Sequence, residues 1–190
     1  MATVTVRNGI DVQALVETID AIKAKPELAR FTFRATTAWQ EGTHSTASIG
    51  SFLHADTEDE SRTAGLTLHG DEPPVLLGRN LGPNAVELLL ASLGFCYSVG
   101  YVANAAARGI ELEEMEYELE GDIDLRNFLG ISDEDRAGFT EIRARARVKA
   151  RGGTTEAELK ELCSYVQETS PVRDVLANGV PVTTSIEVLA

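Results

Sequence analysis

Gly82-Pro83-Asn84-Ala85-Val86-Glu87-Leu88-Leu89-Leu90-Ala91-Ser92-Leu93-Gly94-Phe95-Cys96 is the stretch whose reading decides the fold of this chain. It passes from turn residues into an apolar run that continues to Ala107 and is closed by Arg108-Gly109. The run predicts one helix over 84–107. It is long and apolar enough to imitate a membrane span. Glu87, Ser92, Ser98 and Asn104 interrupt it, however, so the reading is a helix buried in protein on nearly every side. Gly94 and Gly100 inside it imply close packing, against either the same chain or an antiparallel copy of the helix. Cys96 is therefore held in a fixed place. A held thiol is a nucleophile if something nearby stabilises its thiolate, and otherwise an inert core residue.

Upstream, Asn8 to Lys25 reads as a helix with Asp11 as N-cap and Leu15, Ile19 and Ile22 on one face, stopped by Pro26. Strand-like runs follow at 29–40, 43–54 and 63–69, with polar 55–62 as a loop and 70–82 as an irregular segment. Downstream, Met115, Tyr117, Leu119, Ile123 and Leu125 alternate with acidic residues from Glu114 to Asp124. The matching strand has Ile142, Ala144, Ala146 and Val148 inward and Arg143, Arg145, Arg147 and Lys149 outward. Period two with opposite charges predicts an antiparallel pair in which an acidic ladder faces a basic one. Thr155 with Glu158 forms a capping box for a helix over 155–168. Ser170-Pro171 begins a short turn, and Val182, Thr184, Ile186 and Val188 predict a last strand. The order gives an α+β fold with antiparallel sheet.

Composition narrows the function. The chain has 190 residues, 43% of them hydrophobic, which is enough for one domain with a sizeable core. A formal net charge of -13 argues against nucleic-acid partners and for a soluble, cytoplasmic protein. Two cysteines, without a CxxC pair, make no disulfide framework. His44, His54 and His69 lie in separate segments, which gives a metal site little local support, and no cofactor motif is present. The N-terminus carries no export signal pattern and no second apolar run suggests a membrane partner.

The stretch ending in Cys96 also resembles the central-helix motif of the OsmC/Ohr family of thiol-dependent peroxidases and relatives. Asn8 to His44 is similar to the N-terminal part of one OsmC-like branch, and Ser170-Pro171-Val172-Arg173 through Val182 resembles the C-terminal motif. The resemblance implies a single OsmC-like domain over 1–190, with 1–28 as a helical extension. It further implies an intertwined homodimer, antiparallel sheets around long buried central helices, and thiols at the dimer interface. Cys96 falls on the peroxide-attacking position. The classical C-terminal motif begins Cys-Pro and supplies a resolving cysteine; here that position is Ser170. The classical helix opens Asn-Pro-Glu, with the glutamate holding an active-site arginine; here the carboxylate, Glu87, falls one place later. One place is about 100° of helical rotation.

Under this resemblance Cys96 reduces organic hydroperoxides, an arginine steadies its thiolate, and an external thiol reduces it again. Arg34 is the first candidate for that cation and Arg79 the second. Cys163 lies on the apolar face of its helix and reads as core. Ser170 has neither the elbow motif nor a following histidine that a nucleophilic serine needs. The alternative function is a non-catalytic OsmC-like dimer that binds a small apolar molecule at its interface.

Overall fold

Asn8-Gly9 opens the fold with a hairpin. Both residues have positive φ, 53° and 78°, as a tight two-residue turn requires. They join strands β1 (Val6–Arg7) and β2 (Ile10–Asp11), so the expected first helix starts later than Asn8. Helix α1 (Val12–Ala24) is capped by the Asp11 side chain, which accepts from the Ala14 N–H, and a 3₁₀ turn at Pro26–Ala29 follows. The computed structural model describes residues 5–62 and 64–189, which fall in two compact units, Met1–Ala91 and Ser92–Ala190.

The first unit contains two three-stranded antiparallel sheets. β3 (Phe31–Thr32), β6 (Phe52–His54) and β7 (Thr57–Asp59) make one, in the order β3-β6-β7. β4 (Thr36–Glu41), β5 (His44–Ile49) and β8 (Leu66–Gly70) make the other, in the order β4-β5-β8. Each of the first two expected strands is thus divided between the sheets. The segment expected as a loop after His54 holds β7, because Ala55 and Asp56, at φ 47° and 63°, form a second tight hairpin turn. Of the expected strand 63–69, Thr63 lies outside the described residues.

The link from β8 into the long helix is fixed by one carboxylate. Asp71 is buried and accepts from the Thr43 hydroxyl at 2.6 Å and from the backbone N–H groups of Glu72, Arg79 and Leu81. The Thr43 hydroxyl does most to hold the Asp71 carboxyl far below the usual carboxylate range; the three N–H donors add to it and burial opposes it. A depressed folded value means that this contribution is complete above the ordinary aspartate range of about 3.9 and is lost as pH falls through and below it. Denaturant midpoints are therefore expected to drop between pH 7 and pH 3. Asp71→Asn should be destabilised already at pH 7 and show a smaller drop. An undiminished drop in that variant would place the acid sensitivity elsewhere.

The second unit is built on the long helix α2 (Ala85–Ala107), whose first two turns belong to the preceding unit. Leu93, Tyr97, Tyr101 and Ala105, spaced by four, are buried and form the core with Ile110, Leu162 and Val166. Within one chain the burial is one-sided: Phe95 and Val99 are 76% and 64% exposed. By length and composition α2 is apolar enough to cross a membrane, but its covered face packs as a core helix does. The two glycines are explained within the chain. A Cβ at Gly94 would lie 3.0 Å from Leu119 Cδ1, and one at Gly100 would lie 3.2 Å from Val166 Cγ1.

β9 (Leu112–Asp122) and β10 (Glu141–Ala150) pair as the charge pattern predicts, with Arg143 opposite Glu120, Arg145 opposite Glu118, Arg147 opposite Glu116 and Lys149 opposite Glu114. The ion pairs are exposed, so each is worth only about 0.2–1 kcal/mol. The strand stops at Asp122, short of Ile123 and Leu125. At Gly121 the backbone lies under the Phe139 ring, and a Cβ there would be 2.6 Å from the ring edge.

Helix α3 (Glu156–Thr169) begins with the Thr155–Glu158 capping box and buries Leu162 and Val166. Helix α4 (Pro171–Asn178) follows at once. The expected last strand is not formed. Residues 180–189 are irregular, and Val182, Ile186 and Val188 are exposed. A strand needs a neighbour to bond its backbone, and among the described residues none lies beside this segment.

Candidate functional site around Cys96

Cys96 lies on α2 one residue before the buried Tyr97, so its half-buried thiol sits at the edge of the covered face. Its sulfur is 3.1 Å from the hydroxyl oxygen of Ser170. Ser170 is buried and occupies the junction between α3 and α4, where it caps α4 by accepting from the Arg173 N–H at 3.2 Å. Pro171 suits this place, since the first helical position has no need of its N–H. With one acceptor site filled by Arg173, the Ser170 O–H is free to point at the sulfur. In the neutral pair either atom can donate; once the sulfur is ionised only the serine can. The sulfur therefore meets the N-terminal end of α4, where helix geometry favours negative charge.

Tyr97 feels both cysteines, and Tyr101 and Tyr117 surround Cys163. Burial pushes the Tyr97 phenol up, against the Arg173 charge, which pulls it down. Burial likewise raises Tyr101 to about 12, and its hydroxyl donates to the Leu159 carbonyl at 2.9 Å. Tyr117 is raised as well, by burial first and the neighbouring Cys163 second, and its hydroxyl is buried without a nitrogen or oxygen partner. Cys163 packs against the core and accepts from Gln167 Nε2 at 3.4 Å. Both cysteines are free thiols.

The structure thus brings Cys96 and Ser170 together. The other expected residues have partners of their own in the first unit. Arg34 lies in the link between β3 and β4, not within a strand, and pairs with Glu58 at 2.6 Å. Arg79 pairs with Glu41 at 3.1 Å. Glu87 accepts from the Asn84 N–H at 2.8 Å while Asn84 Oδ1 accepts from the Glu87 N–H at 2.9 Å, a capping box that starts α2. Its signal, a helix-capping residue followed three places later by glutamate, was present in the sequence and passed over. Arg173 belongs to the C-terminal motif quoted above but was not among the site candidates; it stands in the first turn after Ser170-Pro171. Among the described residues, no group of three or more histidine, cysteine or acidic side chains is placed to hold a metal ion.

No curated protein matches this chain. Solved structures do. The OsmC-like protein of Mycoplasma pneumoniae is 17% identical, covering 77% of this chain and 87% of that one, with a TM-score of 0.58. An OsmC-like protein of unknown function from Vibrio cholerae is 12% identical, covering 75% and 91%, also at 0.58. The organic hydroperoxide resistance protein OsmC of Legionella pneumophila is 19% identical, covering 78% and 90%, at 0.54. At these identities the likeness is one of fold. Residues 78–185, more than half of the sequence, match the family described as OsmC-like protein, and they include Cys96, Ser170 and the whole of α2: the chain belongs to the OsmC-like family.

Proposed function

We propose that this protein reduces organic hydroperoxides at Cys96 and is returned to the thiol by an external thiol reductant. The observation that carries the reading is the Ser170 hydroxyl on the Cys96 sulfur at the N-terminal end of α4. The thiolate attacks one peroxide oxygen; the S–O bond forms as the O–O bond breaks, and the alkoxide leaves as alcohol after taking up a proton. Cys96 is then a sulfenic acid. One external thiol displaces its hydroxyl as water and forms a mixed disulfide. A second thiol releases Cys96 and carries away the disulfide, so two thiols supply both electrons. Ser170 cannot form a disulfide, which is why the reductant comes from outside at this step. Arg173 is assigned to the cationic surroundings of the sulfur in this reading, ahead of Arg34 and Arg79, which start from ion pairs with Glu58 and Glu41.

The working form in this reading is a homodimer in a reducing, cytoplasmic setting, with a second copy covering Phe95 and Val99. A hydroperoxide-resistance protein among the fold relatives supports the substrate class. The test is stopped-flow consumption of an alkyl hydroperoxide with an added dithiol. Hydrogen bonds to charged groups are worth about 1.5–3 kcal/mol, so Ser170→Ala should slow sulfur oxidation roughly tenfold or more, and Ser170→Thr, which keeps the hydroxyl, should restore most of it. Equal rates in wild type and Ser170→Ala would remove the serine from the chemistry. The open apolar residues beside the thiol also suit a second reading, a dimer that holds an apolar ligand without turnover; it gives no peroxide loss above that of a free thiol.

A further inference from the structure

His44 and His69, 25 positions apart in sequence, meet on one face of the sheet β4-β5-β8. His69 is paired in register with Thr46, two residues after His44, so the two rings project from adjacent strands on the same side. Their ring centroids are 5.4 Å apart with an interplanar angle of 15°, and His44 Nε2 lies 3.1 Å from His69 Nδ1. His69 is exposed and His44 half-buried, so both nitrogens are within reach of solvent. The backbone beneath is fixed: Gly82 lies so close on the His69 carbonyl that a Cβ there would be 2.1 Å from its oxygen. Glu41, the cross-strand partner of His44, adds negative charge nearby and pairs with Arg79.

Two imidazole nitrogens at this spacing suit one metal ion. With metal–nitrogen bonds of about 2.0–2.1 Å, a separation of this size subtends an angle near 100°, within the range that cis ligands adopt. The two nitrogens now face each other at hydrogen-bond distance, and turning the exposed His69 ring would aim both lone pairs at one ion. Whichever ring holds the proton between them carries it on its other nitrogen once the metal binds, leaving both facing nitrogens as donors to the metal. We propose that His44 and His69 form a two-imidazole site for a borderline divalent transition-metal ion, with water completing its coordination. Imidazole donors suit nickel, copper and zinc, and affinity should peak at copper. The site is independent of the reading of Cys96.

Isothermal titration of the full-length protein with Ni²⁺ tests it. One ion should bind per chain. Removing an outer-shell partner already costs roughly tenfold in affinity, so His44→Gln and His69→Gln should each lose at least that much. His54→Gln should bind as wild type, since the His54 ring is engaged with the Leu28 carbonyl and stacked on Phe31. Both tested rings lie at the surface, and thermal melts of the metal-free variants serve as the folding check. Copper added below one equivalent should give a paramagnetic resonance spectrum with coupling to two imidazole nitrogens. Full affinity in either single variant, lost affinity in His54→Gln, or coupling to a single nitrogen would each overturn the proposal.

Discussion

Cys96→Ser abolishes hydroperoxide consumption, by roughly three orders of magnitude or more, because no other group in the proposed cycle can take the peroxide oxygen. Cys163→Ser leaves the rate within a few-fold. Its thiol packs against the core beside Tyr117 and takes no part in the cycle. The contrast between the two variants matters more than either value. A general loss from disturbed packing would be as large at Cys163, which lies against buried Leu162 and Val166, as at Cys96. Peroxide loss measured alongside a trap for sulfenic acid decides the matter: label should appear in wild type and Cys163→Ser and be absent from Cys96→Ser. Wild-type turnover in Cys96→Ser would end the thiol reading.

Val99→Glu converts the proposed dimer into monomers. Val99 and Phe95 stand on the open face of α2, and in a lone chain a glutamate at an exposed position is nearly neutral to stability. Placed under a second copy, the same carboxylate would be buried without a partner, which costs several kcal/mol per site and twice that in a symmetric interface. Light scattering should give about twice the 20.5 kDa chain mass for wild type and the chain mass for the variant. A wild type that scatters as a single chain at micromolar concentration would overturn the dimer, since obligate interfaces of this kind stay closed there.

Much of this arrangement was legible in the residues. The alternating charges of 114–124 and 142–149 gave the β9–β10 pair and the faces its strands share, because both ladder and pleat have a period of two. The Asp11 and Thr155 caps were readable because capping is a local contest for backbone N–H groups. The tight turns at Asn8-Gly9 and Ala55-Asp56 were local too, but helix periodicity and loop polarity masked them. The meeting of Cys96 with Ser170 spans 74 positions, and that of His44 with His69 spans 25. Such contacts are set by how elements pack, and no window of sequence contains them. The terminal segment failed for a related reason: alternation shows that 182–188 suits a sheet, not that a neighbour is at hand.

The charged hairpin of β9 and β10 has a further consequence. Its carboxylates and guanidinium groups recur every second residue, so sliding one strand by two places would again set opposite charges face to face, with the loss of about one pair at the end. Electrostatics therefore fix the parity of the pairing and leave its phase nearly degenerate. The phase is marked where the repeat is broken, at Gly121, whose missing side chain admits the Phe139 ring in the observed pairing. A residue without charge or side chain thus carries the positional information that eight charged neighbours, by their regularity, are unable to hold.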